Sequence, residues 1–153
     1  MRFGKDELME DRELILRAAA AREKAYAPYS GFAVGAALLA KNGKIYEGCN
    51  IENAAYSPSN CAERTAFFKA VSEGIREFEK IAVVGGKSGC EPDGLCAPCG
   101  VCRQVMAEFC DPESFEIVLG NADCVKRYLL KDLLPESFGA GNLKETEKSH
   151  DNV

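Results

Sequence analysis

Histidine is almost missing from this 153-residue sequence, and its single copy, His150, lies in a polar C-terminal stretch. An imidazole metal site is therefore not expected, and His150 reads as a solvated bystander. Net positive charge is missing too. With 19 Lys+Arg against 24 Asp+Glu, the formal charge is −5. That balance argues against nucleic-acid polymers as partners, because they call for a basic surface. No apolar run reaches the length of a membrane span, and the stretch Met1-Arg2-Phe3-Gly4-Lys5-Asp6-Glu7 lacks the apolar core of a signal peptide. The expected setting is cytoplasmic, with no membrane partner. Repeats and internal linkers are absent as well. A chain of this length suits one domain with a sizeable core.

Cysteine, by contrast, is plentiful, with eight copies. In a reducing compartment these point to metal binding or free thiols before disulfides. Cys49, Cys110 and Cys124 lie in apolar or strand-like contexts and read as small buried hydrophobes. The informative thiols fall in two stretches, Cys61-Ala62-Glu63-Arg64 and Pro98-Cys99-Gly100-Val101-Cys102. Each resembles the opening of a helix. Cys99 and Cys102 are three apart, so a helix puts both on one side. Pro98 suits a first turn, and Asn60 suits an N-cap just before Cys61. Helix starts favour the thiolate, the form that binds metal.

Three thiols match a catalytic zinc, which takes three protein ligands and leaves its fourth position to solvent. Glu63 then stands beside the site as a general acid/base. Spacing alone leaves alternatives open. Glu63 can be a reciprocal capping partner of Asn60, and Cys-x-x-Cys can be a redox pair or half of a structural clip. Cys96 can complete a closed four-thiol site.

The hydrophobic pattern predicts a helix over about 6–27, stopped by Pro28. A strand over 32–39 follows, apolar enough to be covered on both faces. The Asn42-Gly43 pair predicts a hairpin and an antiparallel return strand over 45–49. Gly35 hints at a close approach by another backbone, or a bulge. A buried helix over 61–73, closed by Gly74, leads to a short strand over 81–84 and a glycine-rich loop over 85–95. A helix over about 99–109 and a strand over 115–119 come next. The segment 124–130 is ambiguous between strand and helix. Residues 139–153 read as a polar, disordered tail, leaving 1–138 as a single domain. This order implies an α/β fold, three-layer α-β-α, with a mixed sheet of about five strands and helices on both faces. Right-handed crossovers bring the two cysteine-bearing helix starts to one edge of the sheet.

The pattern Cys-x-Glu followed by Pro-Cys-x-x-Cys is that of the zinc deaminases. Further stretches sharpen it: Tyr29-Ser30-Gly31-Phe32-Ala33-Val34-Gly35-Ala36-Ala37, Asn50-Ile51-Glu52-Asn53-Ala54-Ala55-Tyr56, Cys61-Ala62-Glu63-Arg64-Thr65-Ala66, Pro98-Cys99-Gly100-Val101-Cys102-Arg103-Gln104 and Leu133-Leu134-Pro135-Glu136-Ser137-Phe138. From the first helix to about Phe138 the sequence resembles the small homotetrameric cytidine deaminases. The resemblance implies hydrolytic deamination of cytidine and 2′-deoxycytidine in pyrimidine salvage, with one zinc per subunit. It gives Cys61, Cys99 and Cys102 as zinc ligands and Glu63 as the proton shuttle. Asn50 and Glu52 would hydrogen-bond the ribose, Phe32 would pack on the base, and Ala62 would line the substrate site. Ala54, Tyr56 and Phe138 would reach a neighbouring subunit's pocket, so that active sites are shared in a tetramer.

Two departures from the family stand out. Ser57-Pro58-Ser59 replaces a glycine and small residues, and Cys96 is an extra thiol, expected to stand aside. An all-cysteine site also carries excess negative charge. Arg64 is expected to draw off most of it by hydrogen-bonding ligand sulfur, with Arg103 as the other candidate.

Overall fold

The hairpin Phe32–Cys49 seeds the architecture. In the computed structural model, which describes residues 4–143, β1 (Phe32–Ala40) turns at Gly43 (φ +88°) into β2 (Ile45–Cys49) in antiparallel register. The other edge of β1 pairs antiparallel with β3 (Phe78–Lys87). β3 runs parallel to β4 (Glu116–Gly120), and β4 pairs antiparallel with β5 (Val125–Leu129). The sheet order is β2-β1-β3-β4-β5. The expected mixed five-stranded sheet is present.

Period-two alternation divides β1 between two cores. Ala37 and Leu39, with Ala82, Val84 and Val118, face Leu14, Ile15 and Ala18 of α1 (Lys5–Arg22). Ala36 and Leu38, with Ile81, Val83, Ile117 and Leu119, face the opposite layer. That layer holds α2 (Ala62–Ser72) and α3 (Gly100–Phe109), packed through Ala66, Phe67, Cys102 and Met106. Phe67 anchors it against the rings of Phe78, Phe109 and Phe115, at 5.0, 6.3 and 6.1 Å. Gly35 has no room for a Cβ, which would sit 1.9 Å from the Ala18 carbonyl oxygen. The close approach, and not a bulge, explains that glycine.

Several boundaries differ from the sequence expectation. α1 stops at Arg22 rather than Ala27. Its exit tightens into i→i−3 bonds, and Tyr26 then joins a parallel bridge with Ile51, donating to Asn50 and accepting from Glu52. The effect of Pro28 reaches only its own predecessor. Gly85 and Gly86 belong to β3, not to a loop. The ambiguous 124–130 segment resolves into β5 and a short α4 (Leu130–Leu133). Cys124 is exposed, since it closes the tight β4–β5 turn, whereas Cys49 and Cys110 are half-buried. Residues 140–143, expected to be disordered, form a helical turn. The rest of that tail, His150 included, lies outside the described residues.

On the α1 face, Asp11 is fully buried. Its carboxylate accepts from Lys80 Nζ at 3.0 Å and from Arg127 Nη2 and Nε at 2.6 and 2.9 Å. Glu116 closes the network 2.9 Å from Arg127 and 3.6 Å from Lys80.

Candidate active site

Two helix starts converge at one end of the sheet. Cys61 is the N-cap of α2 and Cys99 the N-cap of α3, both with extended backbone. Asn60 is therefore not the cap. Its amide donates to the Thr65 hydroxyl at 3.2 Å, and the reciprocal capping between Asn60 and Glu63 does not form. Cys102 lies one turn into α3 and is buried.

The three sulfurs lie within 4.8 Å of one another, with Cys61–Cys99 at 3.8 Å and Cys99–Cys102 at 3.5 Å. A tetrahedral ion with Zn–S bonds of ~2.3 Å sets its sulfurs about 3.8 Å apart. The donor set fits zinc in both chemistry and spacing. Among the described residues this is the one group of three such ligands, and Cys96 is outside it. The Cys96 thiol packs instead on Gly85, where a Cβ would meet its sulfur at 2.6 Å and Phe32 Cε1 at 3.1 Å. Burial pushes that thiol up to about 11, the behaviour of a neutral packing group.

Electrostatics divide the ligands. The Cys61 thiol is drawn down to about 5, chiefly by hydrogen bonding with Cys102 and, against the cost of burial, by the Arg64 guanidinium. The Cys102 thiol is pushed up by the same pairing. Arg64 Nη2 donates to Cys61 Sγ at 3.3 Å. Arg103 does other work: it donates to the carbonyls of Pro98 (2.8 Å) and Leu133 (2.7 Å), bracing the turn that carries Cys99. Glu63 is buried beside these sulfurs, and burial raises its carboxyl above the ordinary range.

The remaining candidate residues ring this centre unevenly. Phe32 opens β1, half-exposed. Asn50 clasps the strand behind it, accepting from Val34 N at 2.8 Å and donating to the Phe32 carbonyl at 2.9 Å. An amide has two donors and two lone pairs, so one of each is left over. Glu52 accepts from the backbone N–H groups of Tyr29 and Ser30, both at 3.0 Å, and from the Ser30 hydroxyl. The Ser30 hydroxyl leads in holding its carboxyl below the usual range. Tyr29, Ser30, Glu52, Tyr56 and Ser59 line a cleft of about 200 Å³.

Tyr56 is mostly exposed and left-handed at φ +58°, with its ring edge-on to Tyr29. Ala54 is exposed in the same loop. Ala62 has no exposed surface and belongs to the core under α2. Phe138 projects into solvent, its carbonyl held by Gln104 Nε2 at 2.8 Å. Sequence reasoning missed Arg22, a buried guanidinium at the end of α1. Its only signal is an arginine on the apolar side of the helix.

Residues 8–117 match the family described as the cytidine and deoxycytidylate deaminase zinc-binding region. A cytidine deaminase from Sporosarcina psychrophila is 52% identical over 136 residues, covering 88% of this chain and 96% of that protein. One from Halalkalibacterium halodurans is 49% identical over 138 residues, covering 90% and 100%. The crystal structure of cytidine deaminase from Burkholderia pseudomallei superposes with a TM-score of 0.74 at 54% identity, covering 82% of this chain and 97% of the other.

Proposed function

The chain belongs to the cytidine and deoxycytidylate deaminase zinc-binding family, and we infer from that membership and from its site that it hydrolyses the C4 amine of cytidine. The products are uridine and ammonia. The reading extends to 2′-deoxycytidine and to a place in pyrimidine salvage. The observation that carries it is a buried Glu63, with no ion pair among the described residues, beside three sulfurs at zinc spacing.

Cys61, Cys99 and Cys102 would hold one zinc per chain, which would supply Lewis acidity that lowers the pKa of water toward neutrality. Glu63 accepts a proton from the attacking water and delivers it to N3 of the pyrimidine. The water oxygen bonds to C4, Glu63 takes the second proton from that oxygen and passes it to the amine, and the C4–N bond breaks with its electron pair on the departing ammonia as the C4 carbonyl forms. A carboxyl held high by burial suits both halves of that exchange. Arg64 offsets ligand charge through Cys61. Phe32 packs on the base, and the free donor and lone pair of Asn50, with Glu52, meet the ribose hydroxyls.

The exposed Tyr56 and Phe138 rings, with Ala54, complete a neighbouring chain's pocket in a cytoplasmic homotetramer. Residues 1–138 form the catalytic domain, with 139–153 appended. The acidic balance supports a free nucleoside over a polymer.

Purified protein given cytidine is expected to produce the ultraviolet change of uridine formation and an equal amount of ammonia, in proportion to zinc content. Zinc-loaded protein without turnover would sink the reading. Light scattering is expected to report four chains, and a monomer with full activity would remove the shared-site part.

A further inference from the structure

We propose that Arg22 is a positioning residue for the nucleoside pocket, holding the Phe32 end of β1 and the Gly85–Lys87 end of β3 from the sheet face opposite the thiols. Arg22 Nε donates to the Ala33 carbonyl at 2.9 Å. Its Nη2 reaches the carbonyls of Gly86 (3.1 Å), Lys87 (2.7 Å) and Cys90 (2.9 Å). All four acceptors are backbone, and Arg22 forms no ion pair among the described residues. The residue is only 6% exposed. A buried cation satisfied by carbonyls alone dictates where those carbonyls sit, because the guanidinium is a rigid planar fork.

The register shows what is being held. Phe32 pairs with Lys87, Ala33 with Gly86 and Val34 with Gly85. Gly35 and Gly86 face α1, since a Cβ at the first meets Ala18 and Arg22 and one at the second meets Arg22 and Pro92. Gly85 faces the other way, where a Cβ would meet Cys96 and the Phe32 ring. Arg22 therefore grips the backs of the same two strand ends whose fronts form the wall beside the thiols. Asn50 fixes Phe32 from the β2 side, and Ser88 N donates to the Gly31 carbonyl at 2.8 Å, closing the strand pair. Arg22 supplies the third hold and extends it to the 88–92 loop that leads toward Cys96 and Cys99.

The proposal rests on the reading of Phe32 as the residue that packs on the base. Kinetics for cytidine separate the two ideas, with Arg22→Lys and Arg22→Ala made alone and in a Phe32→Ala background. A lysine keeps the charge but cannot span the carbonyls. Arg22→Lys is expected to raise KM about tenfold with kcat little changed and zinc content intact. In the Phe32→Ala background the same change should raise KM less than about twofold, because the wall it positions is already gone. A cavity of about 560 Å³ opens beside Arg22, between α1 and residues 89–92 and 121–123. Millimolar guanidinium chloride should therefore lower the KM of Arg22→Ala, while sodium chloride at equal ionic strength should not.

An unchanged KM in Arg22→Lys, a fall in kcat alone, or full additivity with Phe32→Ala would each overturn the proposal. An unchanged KM in Phe32→Ala overturns the assignment of Phe32, and with it the route from Arg22 to the base. Should Arg22→Ala fail to fold, the lysine variant in both backgrounds decides.

Discussion

Two carboxylates are buried on opposite faces of one sheet, and their company differs. Asp11 is 0% exposed and Glu63 is 4% exposed, so burial does not separate them. Asp11 has Lys80 and Arg127 within 3.0 Å, so its charge is balanced inside a closed ion network. Glu63 makes no ion pair among the described residues, and burial lifts its affinity for a proton. The first arrangement ties α1 to β3 and β5. The second leaves a carboxyl free to gain and lose protons. Pairing decides which buried acid is scaffold and which is chemistry.

The comparison breaks most severely at Glu63. Glu63→Gln keeps the shape and removes the proton shuttle, so kcat should fall by about 10³-fold or more, with zinc content and melting temperature preserved. Retained turnover would erase the contrast. Asp11→Asn should do the reverse. It leaves two buried cations short of an anion and should cost about 3–5 kcal/mol of stability, read by denaturant melts, while kcat per folded chain holds. Arg64→Ala should lower activity or zinc affinity about 10- to 100-fold. Full turnover with full zinc would show that the ligand charge needs no such partner.

The smallest effect is in pH. Burial works against the Lys80 charge, but Asp11 and then Glu116 outweigh it and raise its pKa in the fold. A raised folded pKa gives stability that is complete below the unfolded value, near ~10.4, and lost as pH climbs through the folded value. The urea midpoint should therefore drop more steeply above pH 10 in the wild type than in Lys80→Met.

What was legible in the sequence was local. Asn42-Gly43 announces its hairpin because the loop, which closes over Lys41-Asn42-Gly43 with Gly43 N bonded to the Ala40 carbonyl, needs a positive φ at Gly43, and Cys99 and Cys102 announce a shared helix face because three residues make nearly one turn. The layers followed from β1 being apolar on both parities. What failed to show was set by distant partners. Tyr26 leaves the helical path to pair with Ile51, which no helix propensity foretells. The cap fell on Cys61 instead of Asn60, one residue from expectation, and that shift freed Glu63 from a capping role. Asp11 finds Lys80 and Arg127 at separations of 69 and 116 residues, beyond any motif. Arg22 was hidden for the same reason. Its acceptors are carbonyls, and every residue has one.

The left-handed backbone at Tyr56 has a cost of its own. A non-glycine residue held there is strained by about 1–2 kcal/mol, and a ring that is 74% exposed returns little of that within a single chain. Asparagine tolerates this conformation better, so a thermal screen of lone protomers should rank Tyr56→Asn as an improvement. The same screen would strip away a ring proposed to finish another chain's pocket. Optimising this protein for robustness one molecule at a time would select against its working in company.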